Sequence, residues 1–127
     1  MNVVDSCGWL EYFSGGPNAD FFAPALEGAD GMLVVPTLCL YEVFKSVLSQ
    51  ATREEALRKV AVMRQGKVVA LDETLALDAA VLSRELKLPM ADSIILATAR
   101  GCGALLWTQD AHFEAIDGVR YCAKGEQ

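Results

Sequence analysis

Short apolar runs that do not alternate with polar residues constrain this chain more than any other feature. Asn2-Val-Val-Asp5, Met32-Leu-Val-Val35, Lys67-Val-Val-Ala-Leu71 and Ala104-Leu-Leu-Trp-Thr108 are separated from one another by longer helical patterns. A strand that is apolar on both sides must be covered on both faces, and helices between such strands return the chain for parallel pairing. The expected fold is therefore α/β, a three-layer α/β/α sandwich around a parallel sheet of about five strands, with Val119-Arg-Tyr-Cys122 as the fifth.

Helix signals fill the gaps. Ser6 is placed to cap a helix stopping near Gly15-Gly16, and Pro17 and Asn18 open a second with Phe21, Phe22, Ala25 and Leu26 on one side. Thr37 caps a helix to about Gln50, and Thr52-Arg-Glu-Glu55 has the capping-box pattern of a helix ending near Gly66. Asp72 or Thr74 starts a helix through Lys87, and another follows Pro89 to Gly101.

With 127 residues, 53% of them hydrophobic and 22% charged, the chain suits one folded domain over residues 1–127. No apolar stretch approaches the ~20 residues that span a bilayer, and no basic segment precedes a long apolar run as in a signal peptide. A soluble, cytoplasmic protein without membrane contact is expected. Cys7, Cys39, Cys102 and Cys122 are scattered without a CxxC pair and only one histidine accompanies them, so they are read as buried free thiols.

The net charge of −6 argues at first against a nucleic-acid partner, but its distribution does not. Residues 1–42 hold six acids and no Lys or Arg. Residues 43–67 hold six basic residues against two acidic ones, a balance of +4, which leaves −10 for the rest. A basic strip beside an acidic pocket fits this segregation, as does an ordinary solvated helix face.

In open parallel sheets, ligands bind outside the carboxyl ends of the strands. Asp5 closes the first strand, Asp110 follows the fourth by two residues, and Asp92 opens the helix after Pro89. Glu42 lies in the helix after the second strand, opposite an apolar face read as Leu40, Tyr41, Val43, Phe44, Val47 and Leu48. Singly, each acid has a structural explanation: Asp5 and Asp92 as helix caps, Asp110 as a turn former, Glu42 as a solvated partner of Lys45.

Taken together, Val3-Val-Asp-Ser6, Tyr41-Glu-Val43, Ala91-Asp-Ser-Ile-Ile-Leu-Ala-Thr-Ala99 and Trp107-Thr-Gln-Asp-Ala-His-Phe113 resemble the PIN-domain family, particularly the toxins of the VapBC toxin–antitoxin type. The resemblance covers essentially the whole chain. It implies a metal-dependent endoribonuclease in which Asp5, Glu42, Asp92 and Asp110 match the acidic residues that hold Mg²⁺ or Mn²⁺. Ser6 and Thr108 match hydroxyls that hold the loops or waters around the metal, and Phe113 matches an aromatic that packs the last loop. The chain departs from many relatives at His112, where they carry a further acid. A role for His112 in loop packing or in solvent is preferred here to a contact with phosphate.

Clustered carboxylates repel one another, and a hard divalent ion relieves the conflict. On this reading Asp5 and Asp92 bind the principal ion, Asp110 binds through water or to a second ion, and Glu42 positions or deprotonates the attacking water. Hydrolysis by water leaves a 5′-phosphate and a 3′-hydroxyl. Lys45, Arg58 and Lys59 are the candidate RNA-backbone contacts. A cognate antitoxin that inserts an Arg or Lys into the acidic pocket is expected, as is a homodimer, with apolar surface near Trp9, Tyr12, Phe13, Phe21 and Phe22 available for docking unless those aromatics are core. Two other readings stand beside this one: a phospho-receiver module using Thr108 and Lys124, and a catalytically inactive PIN-like scaffold for RNA processing. An aspartate-nucleophile phosphatase is disfavoured because Asp5-Ser-Cys7 is not a DxD motif.

Overall fold

The computed structural model describes residues 1–29 and 31–125. Its five parallel strands are β1 (Asn2–Val4), β2 (Leu33–Pro36), β3 (Lys67–Val69), β4 (Leu105–Thr108) and β5 (Val119–Tyr121). The helices are α1 (Ser6–Ser14), α2 (Ala19–Leu26), α3 (Thr37–Gln50), α4 (Arg53–Met63), α5 (Glu73–Leu86) and α6 (Met90–Gly101), with a short 3-10 turn at Ala111–Phe113. Together they form the expected α/β/α sandwich, with helices packed in the pairs α1–α2, α3–α4 and α5–α6.

The strand order is β3-β2-β1-β4-β5. The chain therefore builds outward from β1 on one side, then crosses to β4 on the other. A crevice opens where the direction reverses, at the carboxyl ends of β1 and β4. Register places Val4 beside Trp107, so the next residues along, Asp5 and Thr108, meet at that end. In flavodoxin-like receivers the second strand lies at the sheet edge; here it is internal, which removes the topological basis of the receiver reading.

The three central strands β2, β1 and β4 carry the core: Val3, Val4, Val34, Val35 and Leu106 are at most 1% exposed. Gly8 lets α1 lie on this sheet, since a Cβ there would sit 2.6 Å from Val4 Cγ1 and 2.7 Å from Phe22 Cε1. Trp107 is buried with its Nε1–H donating to Asn2 Oδ1 at 2.8 Å. No described helix is long and apolar enough to cross a membrane.

Several local expectations change. Of the two caps the sequence offers for α1, Asp5 takes the role and Ser6 does not: the Asp5 carboxylate accepts the Ser6 N–H, because the backbone turns out of the strand one residue earlier. Thr37 is the first residue of α3 rather than its cap, and its hydroxyl accepts the Leu71 N–H instead. Thr52 and Asp72 do cap α4 and α5, accepting from Glu55 N and Leu75 N. On α3 the buried residues are Cys39 and Val43, whereas Tyr41 and Leu48 are exposed. The apolar arc drawn from hydrophobicity was too wide, since Cys39 takes the core position and Tyr41 turns to solvent. Trp9 and Phe22 are core residues, so the proposed aromatic docking surface is largely internal. Among the thiols only Cys39 is fully buried, Cys7, Cys102 and Cys122 being half-buried.

Candidate active site

Asp5 sits at the junction of β1 and α1, only 4% exposed. Oδ1 accepts the Ser6 N–H at 2.7 Å, and Oδ2 accepts the Thr108 hydroxyl at 2.7 Å. Burial, opposed by the Thr108 hydrogen bond and reinforced by the Asp92 charge, pushes the Asp5 carboxyl up to about 6. Cys7 lies beside it, its Sγ 3.5 Å from both Asp5 Oδ2 and Thr108 Oγ1. Burial and the Asp5 charge push this thiol up to about 12, so it is a protonated donor and not a nucleophile.

Thr108, the last residue of β4, joins Asp5 to the next loop. While its hydroxyl donates to Asp5, its oxygen accepts the Asp110 N–H at 2.9 Å. Asp110 then accepts the His112 N–H at 2.9 Å, closing the 3-10 turn whose Phe113 is fully buried. This turn brings the imidazole back over the acids: His112 Nδ1 lies 2.9 Å from Asp92 Oδ2 and 3.2 Å from Asp110 Oδ1.

Asp92 occupies the first turn of α6, the helix that carries Ile95, Leu96 and Ala99 into the core. A helix N-terminus favours negative charge. Even so, partial burial and then the Asp110 charge hold the Asp92 carboxyl above its ordinary value, with His112 opposing them and Glu42 adding to the rise. The imidazole of His112 is raised in turn by its hydrogen bond to Asp92 and the charge of Asp110.

Glu42 is half-buried on α3, and its Oε1 accepts the Ser6 hydroxyl at 2.7 Å. Ser6 thus donates to two of the four acids, its N–H to Asp5 and its hydroxyl to Glu42. Asp92 and Asp110 come together with His112, one ligand atom from each lying within 4.8 Å of the others. Asp5 stands outside that trio, reached through Thr108 and through its charge coupling to Asp92.

The basic residues are less convergent. Lys45 lies one turn beyond Glu42, its Nζ 5.7 Å from the Tyr41 ring centre. Arg58 pairs with Glu54 and Glu55 along α4, and Lys59 sits 5.0 Å over the Phe13 ring. His112 is solvent-exposed, one of the two roles expected for it, but its ring also bridges two acids, and Cys7, expected only as a buried free thiol, lies against the Asp5 carboxylate. The only signal for His112 was its position two residues after Asp110; nothing marked Cys7.

The PIN domain family model matches residues 3–119. The chain belongs to the PIN-domain family. Members of this family are nucleases, hydrolases acting on nucleic acid. Among solved structures, a toxin–antitoxin complex from Klebsiella pneumoniae superposes with a TM-score of 0.78 at 23% identity, covering 94% of this chain and 96% of that one. VapBC2 from Rickettsia felis, bound to a DNA fragment from its promoter, gives 0.74 at 14% identity, covering 96% and 97%. The sarcin–ricin-loop-cleaving toxin VapC20 from Mycobacterium tuberculosis gives 0.71 at 17% identity, covering 92% and 95%. At such identities these likenesses establish the PIN fold over nearly the full length of each partner. No curated protein matches the chain.

Proposed function

We propose that this PIN domain, spanning residues 1–127 as one unit, is a metal-dependent endoribonuclease and the toxin of a type II toxin–antitoxin pair. The observation that carries the reading is the meeting of Asp92 and Asp110 in the β1–β4 crevice, coupled through Thr108 to the buried Asp5.

The donor set suits a divalent ion. Carboxylate oxygens from separate segments converge, and burial, reinforced by the charge of neighbouring acids, holds Asp5 and Asp92 above the usual carboxylate range. Asp5, Asp92 and Asp110 would hold Mg²⁺ or Mn²⁺. When bound, such an ion makes water more acidic and offsets charge on the phosphoryl oxygens. Glu42, steadied by the Ser6 hydroxyl, orients the attacking water and accepts its proton. Thr108 sets the spacing between Asp5 and the Asp110 loop. Lys45 meets the RNA backbone beside Glu42, with Arg58 and Lys59 contributing farther along α4. Attack by water leaves a 5′-phosphate and a 3′-hydroxyl.

The toxin assignment is supported by the fold likeness to toxins solved with their antitoxins. A cytoplasmic antitoxin partner would neutralise the site by placing an Arg or Lys among its acids. The exposed Tyr41, Leu77, Val81 and Met90 supply apolar surface for that partner or for a homodimer.

The test is cleavage of labelled structured RNAs by antitoxin-free protein with Mg²⁺ or Mn²⁺ against EDTA, alongside Asp92→Asn. Metal-dependent cutting that the variant lacks, with 5′-phosphate ends, supports the proposal. A 2′,3′-cyclic phosphate product refutes the hydrolytic mechanism, and folded protein that binds RNA without cutting it points to the scaffold.

A further inference from the structure

We propose that His112 is a nitrogen donor to the divalent ion and tilts this site toward Mn²⁺ and other first-row transition ions over Mg²⁺. The inference rests on the carboxylate site being a metal centre, as proposed above.

His112 Nδ1 lies within hydrogen-bonding distance of carboxylate oxygens on both α6 and the loop after β4. Its side chain is 58% exposed, so burial in the core does not account for where the ring sits. Instead, the backbone N–H of His112 is pinned to Asp110 Oδ1, and the 3-10 turn is anchored by the fully buried Phe113. The turn therefore holds the imidazole at the acids on a rigid base. Among the described residues, Asp92, Asp110 and His112 form the group of metal-capable side chains whose ligand atoms converge.

The convergent trio offers two carboxylates and one imidazole, and Asp5 is the third carboxylate proposed to hold the ion. Mg²⁺ demands oxygen ligands and keeps much of its water, and its affinity depends on the number of negative charges offered. A neutral imidazole adds no charge and offers a softer nitrogen lone pair. Mn²⁺, Co²⁺, Ni²⁺ and Zn²⁺ accept such nitrogen, with affinities rising along the first-row series before falling back at Zn²⁺. The imidazole thus contributes to transition-ion binding where it does little for Mg²⁺. Asp5 and Glu42, both coupled by charge to Asp92, add electrostatic attraction that all divalent ions share.

The test is calorimetric titration of the full chain with Mn²⁺ and with Mg²⁺, for wild type, His112→Ala, His112→Asp and Asp92→Asn. Pulsed electron paramagnetic resonance of the Mn²⁺-loaded proteins reads nitrogen coordination directly. Loss of even an outer-shell partner of a metal ligand costs roughly 10- to 100-fold in affinity. His112→Ala is therefore expected to weaken Mn²⁺ by at least about tenfold, leave Mg²⁺ little changed, and lose the imidazole nitrogen coupling seen in wild type. His112→Asp should tighten Mg²⁺ and lower the Mn²⁺-over-Mg²⁺ preference. Because the ring is exposed, His112→Ala should change the melting temperature in EDTA little, whereas His112→Asp, which sets a like charge beside Asp92 and Asp110, should lower it.

Mn²⁺ binding that needs Asp92 but survives His112→Ala, with no nitrogen coupling in wild type, overturns the role of His112 and leaves the nuclease reading standing. Wild type that binds neither ion overturns both.

Discussion

Replacing Asp5 with Asn separates the two demands on this carboxylate. Metal-free, the ionised group is held in a 4% exposed position near the Asp92 charge, which places its pKa at about 6 instead of 3.8. At 1.36 kcal/mol per pH unit, that gap makes the ionised form cost the fold about 3 kcal/mol at pH 8. Asn carries no charge and keeps an oxygen for the Ser6 N–H, but its amide meets Thr108 where a carboxylate oxygen was, at a cost of about 1–2 kcal/mol. Asp5→Asn should therefore make the metal-free protein more stable at pH 8 by about 1–2 kcal/mol.

The pH dependence has a definite sign. A carboxyl raised in the folded state binds more protons there than in the unfolded chain, so its contribution is fully present below 3.8 and is lost as pH rises through about 6. Between pH 8 and pH 5 wild type should gain about 1.4 kcal/mol that the variant does not, equivalent to about 5 °C in melting temperature for a chain of this size. Thermal denaturation in EDTA across that range measures the difference. Saturating Mg²⁺ or Mn²⁺ should then stabilise wild type, by about 2.7 kcal/mol at a hundredfold excess over Kd, and stabilise the variant far less. Parallel pH curves for the two proteins would refute the account of Asp5 as a strained, buried charge.

Other perturbations test neighbouring parts of the structure. Thr108→Val removes the hydroxyl that lowers the Asp5 pKa and accepts from Asp110, so the pH midpoint for stability should move above about 6 and RNA cleavage should fall sharply. Gly8→Ala, normally favourable in a helix, should instead cost about 1–3 kcal/mol in denaturant titration, because the new methyl meets Val4 and Phe22. Lys45→Glu should weaken RNA binding and flatten its dependence on salt. The double change Arg58→Glu with Lys59→Glu should do less, since Glu54 and Glu55 already offset the Arg58 charge. Filter-binding titrations unchanged by Lys45→Glu would remove Lys45 from the RNA path.

Much of the architecture was legible in order. Unalternating apolar runs such as Asn2-Val-Val and Leu33-Val-Val require cover on both faces, and this local pattern survives folding because burial decides it residue by residue. The caps at Thr52 and Asp72 were legible for the same reason, since a cap depends on neighbours three residues away. Asp5 was visible as a strand-end acid because strand and side chain are contiguous. Its hydrogen bond to Thr108 crosses 103 positions, however, and no local pattern carries such a contact.

The arc of α3 was misjudged because hydrophobicity alone cannot say whether Tyr41 or Cys39 meets the sheet; the packing of α3 against its neighbours decides it. The contact of the exposed His112 ring with the acids was hidden from the sequence for a related reason. One residue in a loop has no period to reveal its direction, and only the turn anchored by Phe113 aims its ring at Asp92, 20 positions earlier. The sequence by itself settles which segments become strands and helices, because those preferences act over a few residues. Which acids share a field, and that a histidine joins them, follows from the crossing between β1 and β4, where residues distant in the chain are brought within hydrogen-bonding distance.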